Sequence, residues 1–327
     1  MDNRWIVLAA VAGLAVNGLT AEPAAAQTYP VRPIRMVVGF SPGGPADVMA
    51  RLIGQRMAIS LGQPIVVENR AGAGGTIAAR VVADSEPDGY TLLLGNTSTL
   101  VISPLMYKNV GYDPGKAFAP IARLGTTSDI LVANPKFPAK SLGELIAYAK
   151  ANPGKLNYST PGIGTPPHLI GEMLKLRAGV EIVHVPYKSG GQSIQAVVAG
   201  EVQFTFENPA VALPLVQAGV VRALAVTSEA RHPQAPDVPT LVEGGLPDFV
   251  SVSFTGVVGR AGIPAAIVGK LNAVINESLK SPEVAATLAK LAVDVKSETP
   301  AEFGAFLAEE MTTMTPVIKA AGLQGVE

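Results

Sequence analysis

The chain has 327 residues, no cysteine, 48% apolar residues and a formal net charge of −1 at pH 7. A near-neutral balance gives no electrostatic footprint for nucleic acid or an anionic membrane. The lack of cysteine excludes disulfides, thiol catalysis and cysteine-based zinc sites.

The first element is a secretion signal, Met1–Ala26. Arg4 and the amino terminus outweigh Asp2, Ile6–Leu19 is apolar, and Ala24-Ala25-Ala26 meets the small-residue cleavage rule. The mature chain is expected to start at Gln27. The apolar run is shorter than the roughly 20 residues of a spanning helix, so no stable membrane anchor is expected. With no cysteine to carry a lipid, the protein should be free in the periplasm. Its remaining length is enough for a large core, usually shared between two domains.

Next comes a strand, Ile34–Val38, and a turn without bulk, Ser41–Gly44, that opens a helix at Pro45. Proline fits the first helical turn, where its missing N–H costs nothing. Such a turn leaves unpaired N–H groups at the positive end of the helix dipole, a place for an anion. Met49, Leu52, Ile53 and Met57 recur at helical spacing, and Leu61-Gly62 ends that helix. Ile65–Glu68 is a strand, Arg70–Gly75 a loop, Thr76–Ser85 a helix and Thr91–Gly95 a strand. Ile130–Ala133 is another strand, and Ser141 caps a helix over Leu142–Ala151 with Glu144 at the capping-box position. Leu156–Ser159, Ile182–Pro186, Phe204–Glu207 and Ala223–Thr227 read as strands, with helices Pro167–Ala178 and Gln192–Ala199 between them. The end is helical: Pro264–Leu279, Pro282–Leu291 and Pro300–Ala320. Alternating strands and helices indicate an α/β fold. No repeat or low-complexity linker divides the chain. If there are two domains, the backbone crosses between them near Leu100–Leu105 and Ala223–Ser228.

No catalytic constellation stands out. The three histidines, His168, His184 and His232, lack metal-ligand spacing, and His184 reads as a core residue in a strand. There is no Gly-x-Ser-x-Gly elbow and no Gly-Lys-Ser/Thr phosphate loop. Gly72-Ala73-Gly74-Gly75 is not a dinucleotide fingerprint, because Ile77 holds the final glycine position. No metal and no cofactor is expected.

The ordered motifs Tyr29-Pro30, Arg32-Pro33-Ile34-Arg35, Gly43-Gly44-Pro45-Ala46-Asp47, Leu61-Gly62-Gln63-Pro64, Gly72–Gly75 and Pro87-Asp88-Gly89-Tyr90 resemble the Bug family. These are periplasmic solute-binding proteins of tripartite tricarboxylate transporters. The resemblance continues through Pro153-Gly154-Lys155-Leu156-Asn157-Tyr158, His168-Leu169, Gly171-Glu172, His184-Val185-Pro186-Tyr187-Lys188, Arg222–Thr227 and Pro236-Asp237-Val238-Pro239-Thr240. It implies two α/β lobes that close on a ligand like a Venus flytrap, with crossing strands between them. It also implies a small carboxylate ligand held by backbone groups and water, and membrane permease subunits as partners. The lobes are expected over residues 27–101 with 228–327, and over 102–227. A monomer is expected.

Carried over by position, the first-lobe loop is Phe40, Pro42, Gly43, Gly44 and Asp47. Asp47 is either a ligand-water contact or a plain first-turn cap. The wall beyond the next strand is Asn96, Thr97, Ser98 and Thr99, alternatively an ordinary polar turn. The second-lobe loop is Ser159–Thr165, with Gly162, Gly164 and Thr165 facing ligand and His168 orienting the loop. Ile163 and Pro166 stand where relatives commonly carry Asn and a hydroxyl residue, which favours a less polar ligand. Tyr187 and Lys188 lie in a further strand-to-helix loop, although a lysine is more often solvated. Glu207 and Asn208 follow another strand; Glu207 either meets a ligand amine or bonds within its own loop. Phe254 either lines the pocket or belongs to the core. The reading is a non-catalytic binding protein. A ligand-presenting sensor component for a receptor kinase shares the same cleft, and a secreted hydrolase is a third possibility.

Overall fold

Short apolar runs separated by amphipathic helices produce two mixed sheets. The computed structural model describes residues 29–325, so the expected signal Met1–Ala26 lies outside the described residues. The first sheet is built from β1 (Ile34–Val38), β2 (Ile65–Asn69), β3 (Thr91–Asn96), β4 (Phe118–Ser128), β10 (Val252–Arg260) and β11 (Asp294–Val295), in the order β11-β4-β10-β3-β1-β2. The second is built from β5 (Ile130–Ala133), β6 (Leu156–Thr160), β7 (Ile182–Pro186), β8 (Phe204–Glu207) and β9 (Arg222–Val226), in the order β7-β6-β8-β5-β9.

In each sheet the strands that feed helices run parallel: β1 with β2 and β3, and β6 with β7 and β8. Parallel strands need crossover connections, and helices supply them. The crossovers are α1 (Pro45–Leu61) and α2 (Thr76–Ala83) in the first sheet, and α5 (Pro166–Ala178) and α6 (Gly190–Ala199) in the second. Such sheets place their ligand crevice outside the carboxyl ends of the strands, where the strand-to-helix loops gather.

Two antiparallel pairings carry the chain between the sheets. β4 pairs with β10 in the first sheet, and a single residue, Asp129, separates β4 from β5 in the second. The return path leaves β9 at Thr227 and re-enters the first sheet at β10. Asp129 N–H donates to Thr227 Oγ1 (2.8 Å), Thr227 N–H to the Asp129 carbonyl (2.9 Å) and Ser251 N–H to the Thr227 carbonyl (2.8 Å). The two crossings therefore lie side by side and are bonded to each other.

Residues 118–128 belong to the first sheet, so the outward crossing is at Asp129 and not near Leu100–Leu105. The latter stretch is helical: a π turn over Ser98–Ile102 runs into α3 (Ser103–Met106). The segment after Thr227 stays with the second sheet, through Val226 N–H to the Pro239 carbonyl and Leu241 N–H to the Val226 carbonyl.

The remaining helices are α4 (Leu142–Ala151), α7 (Pro209–Gln217), α8 (Ala265–Leu279), α9 (Pro282–Lys290) and α10 (Pro300–Ala320). Ser141 caps α4 by accepting from Glu144 N–H, but the Glu144 carboxylate returns to Lys140 N–H, one residue short of a closed box. The reciprocal capping box is at α10, where Thr299 and Glu302 bond each other's backbone. Phe303, Met314, Val317 and Ile318 of α10 share one buried cluster with Phe254 of β10 and Leu131 and Phe206 of the second sheet. The C-terminal helix thus packs apolar surface against both halves.

Candidate functional site

A cavity of about 470 Å³ lies between the sheets. Its first wall is Pro45, Ala46 and Met49 of α1, with Asn96, Thr97 and Ser98 after β3. Its second is Pro166 of α5, with Asn208, Ala210 and Val211 at α7. Thr127 of β4, Ser253, Phe254 and Thr255 of β10, and Leu291 and Val293 form the floor.

Four helical segments begin at this cavity: α1 at Pro45, the turn after β3 at Thr97–Ser98, α5 at Pro166 and α7 after Asn208. Their positive dipole ends converge on one space. Among the described residues, no Lys, Arg, His, Asp or Glu lines it. Backbone dipoles and uncharged side chains give the cavity its polarity.

The four ends are not equivalent as donors. At α1 the first intrahelical bond is Val48 N–H to the Gly44 carbonyl, so the amides of Gly44, Ala46 and Asp47 precede the ladder. At α7 the Asn208 side chain accepts from Ala210 N–H, and the Asn208 carbonyl accepts from Val211 and Ala212. After β3, Asn96 Oδ1 takes Thr99 N–H (3.0 Å). At α5, Pro166 and Pro167 have no N–H at all, and Leu169 already donates to the Thr165 carbonyl. The α1 end thus offers three N–H groups outside the helical ladder. The α5 and α7 ends contribute dipole and apolar surface.

The first loop differs in detail from the sequence expectation. Asp47 is a loop brace: its Oδ2 accepts from Gly43 N–H (3.0 Å) and from Arg51 Nε (2.9 Å), with the side chain buried. Gly43 N–H is thereby withdrawn from any ligand. Gly43, at φ +83°, needs the left-handed backbone, whereas Gly44 at φ −78° is ordinary extended chain. Phe40 packs against the first-sheet core, and its carbonyl accepts from Asn69 Nδ2 (2.9 Å); Pro42 is exposed. Arg51, then the Gly43 amide, hold the Asp47 carboxyl down at about 2. A value lowered on folding gives stability that is present above the unfolded value and lost as pH falls through the folded one. Asp47→Asn should therefore flatten the acid limb of a melting-temperature profile between about pH 4 and about 2. A limb as steep as in the wild type would count against the brace.

The other expected residues divide. Asn96, Ser98, Asn208 and Phe254 line the cavity, and Gly44 and Thr165 adjoin lining residues. Phe254 serves both readings: it is 2% exposed, stacks edge-on against Phe303 and Phe306, and still faces the cavity. Thr99 does not line it. That side chain is buried beneath the glycine loop and donates to the Gly74 carbonyl (3.2 Å). The Tyr187 hydroxyl turns outward to Glu201 (3.2 Å), and Lys188 is exposed. Glu207 bonds within its own loop, Oε1 accepting from Asn208 N–H (3.0 Å). Burial pushes the Glu207 carboxyl up, and burial followed by Glu207 pushes neighbouring Asp129 up to about 7. Gly162, Gly164 and His168 form the loop behind Pro166, with Gly164 N–H donating to His168 Nδ1 (3.1 Å).

Sequence reasoning missed Met49, Thr127, Ala210, Val211, Ser253, Thr255, Leu291 and Val293. Met49 reads only as a core position of α1. Thr127, Ser253 and Thr255 lie on β4 and β10, two strands whose glycines and bulges hide their alternation.

A family described as "Tripartite tricarboxylate transporter family receptor" matches residues 49–323. Protein BugT of Bordetella pertussis is 38% identical over 321 residues, covering 98% of this chain and 98% of its own. Among solved structures, an R. palustris protein with adipate is 33% identical with a TM-score of 0.75, covering 91% of this chain and 100% of that one. The MatC protein of Rhodopseudomonas palustris, with bound malate, is 35% identical with a TM-score of 0.72, covering 89% of this chain and 100% of that one.

Proposed function

This chain belongs to the tripartite tricarboxylate transporter receptor family, and from that premise we propose that it captures a small carboxylate in the periplasm and delivers it to the permease of such a transporter. The observation that carries the reading is the convergence of four helix N-termini on a cavity without charged side chains. A fixed positive potential with free amides suits an anion that must later be released. The relatives solved with adipate and with malate support the same class.

The ligand carboxylate sits at the α1 end, where the amides of Gly44, Ala46 and Asp47 are uncommitted. Its body runs along Met49, Phe254, Val211 and Val293 towards the proline-started α5. That wall offers contact area and few donors, so the body is largely apolar. Ile163, 62% exposed at the tip of the second loop, fits the same preference. In this reading the protein acts as a monomeric receptor and performs no chemistry.

We assign the first lobe to residues 29–128 with 251–325, and the second to 129–250. The cavity takes residues from both, so one ligand bridges them and favours the closed arrangement by its extra contacts there.

Calorimetry with adipate, malate and aromatic monocarboxylates should find a binder whose amide or ester analogue is at least about tenfold weaker, about 1.4 kcal/mol. Small-angle scattering should show compaction with that binder. Lys188→Ala should bind as the wild type does. Equal affinity for the neutral analogue would overturn the carboxylate reading.

A further inference from the structure

The loop Gly162–Thr165 is held from beneath by two imidazoles on different elements. Gly164 N–H donates to His168 Nδ1 of α5 at 3.1 Å. Gly162 N–H donates to Thr160 Oγ1 at 3.1 Å, and the same hydroxyl lies 2.6 Å from His184 Nε2 of β7. The two rings are stacked, with centroids 3.9 Å apart and planes 18° from parallel. The Tyr158 ring of β6 also lies against His184, at 5.1 Å between centroids.

The Gly164 bond fixes the protonation state of His168, whereas the contact of His184 with Thr160, whose hydroxyl also reaches the Gly162 carbonyl at 3.1 Å, admits either tautomer. A nitrogen that accepts an amide N–H carries no proton, so His168 is neutral with its proton on Nε2. That nitrogen faces Glu172 Oε1 at 3.8 Å. Glu172 is already committed: Oε1 accepts from the Tyr158 hydroxyl (2.9 Å) and Oε2 from Lys175 (2.7 Å). The titratable groups around the pair are therefore Tyr158 from β6 and Glu172 and Lys175 from α5. A proton on His168 Nδ1 would set N–H against N–H at Gly164. A proton on either ring would also face its stacked neighbour, and two imidazolium ions at this separation repel.

We propose that His168 and His184 are positioning residues that hold Gly162–Thr165 in the shape that seats Pro166 at the cavity wall while both rings are neutral, and that proton uptake by the pair releases the loop. Burial keeps both rings below the ordinary histidine value, His184 at about 4 with the neighbouring His168 adding to the effect. The clamp is thus set at neutral pH and lost as pH falls from about 6.5 towards about 4. Its bearing on ligand affinity rests on the carboxylate reading above, so the test uses ligand-free protein, where the two can fail separately.

In nuclear magnetic resonance of the full mature chain, the amide signals of Gly162 and Gly164 should shift together with the histidine ring signals as the solution is acidified, with a midpoint below about 6.5. His168→Asn keeps a side-chain acceptor near Gly164 and takes up no proton. It should abolish the Gly164 response. His184→Phe keeps a ring on His168 and should abolish the Gly162 response. The proposal is overturned if the glycine amides stay still while the rings titrate, or if both responses persist in the two variants.

Discussion

Arg123→Met should lower the unfolding free energy by about 3–5 kcal/mol, the usual cost of breaking a buried ion pair from one side. Arg123 of β4 meets Glu298 at 2.6 Å with side chains 6% and 3% exposed. Its guanidinium also lies 3.8 Å from the centroid of Phe306 on α10. The Glu298 carbonyl accepts from Asn272 and Asn276 of α8, so this one residue ties β4, α8 and the start of α10. Met preserves most of the length and apolar stem of arginine and leaves the Glu298 carboxyl without its cation. Glu310, pushed up to about 7 by burial and Glu309 and drawn down by Arg123, would lose the same cation. Replacing both partners, as Arg123→Met with Glu298→Leu, should recover most of the loss, because the desolvation of two charges disappears with their attraction. Urea unfolding of the three variants measures this. A single-variant loss below about 1 kcal/mol would mean that the pair is effectively solvated.

The parallel halves of both sheets were legible because their strands are short runs rich in β-branched and aromatic residues, with proline- or glycine-marked helices between them. Ile34–Val38, Ile182–Pro186 and Phe204–Glu207 appear with the expected bounds. β4 and β10 were not legible. β4 carries Pro120, Arg123 and Gly125, and β10 carries Gly256 and Gly259, with two register shifts between them. Their alternation is broken where the chain bends from one sheet to the other. Gly256 is needed there for packing: a Cβ would lie 2.4 Å from Phe303 Cζ. No local pattern announces a contact with a residue so distant in sequence. The resemblance of motifs located the loops of the site. It did not separate residues that face the cavity from those that brace the loops behind it. Asp47, Thr99 and His168 are braces, and each makes its key bond to a backbone group of a glycine: Gly43, Gly74 and Gly164. A short polar side chain beside a glycine turn reads the same in either role, because the turn needs a partner whether or not a ligand is near.

Gly164→Val is the substitution expected to damage the second loop most. Gly164 has φ +74°, a region where a β-branched residue is strained by roughly 1–3 kcal/mol. A Cβ there would also lie 2.7 Å from Met106 Sδ on α3, the flexible end of a side chain that can shift at small cost. Unfolding in urea should therefore show a loss of about 1–3 kcal/mol. Measured against Met106→Ala alone, the substitution should cost nearly the same, because the backbone strain is independent of α3. Carboxylate binding should weaken by at least about tenfold in the folded variant, since the displaced loop also loses its amide bond to His168. Gly44→Val provides the contrast. Its backbone is extended and the nearest atom to an added Cβ is the Ser41 carbonyl oxygen at 3.6 Å, so stability should change by less than about 0.5 kcal/mol. What Gly44→Val should lose is binding alone, because the branched side chain stands at the α1 amides. Full affinity in a stable Gly44→Val protein would move the carboxylate away from α1, and unchanged stability in Gly164→Val would show that the loop relaxes out of its left-handed conformation without cost.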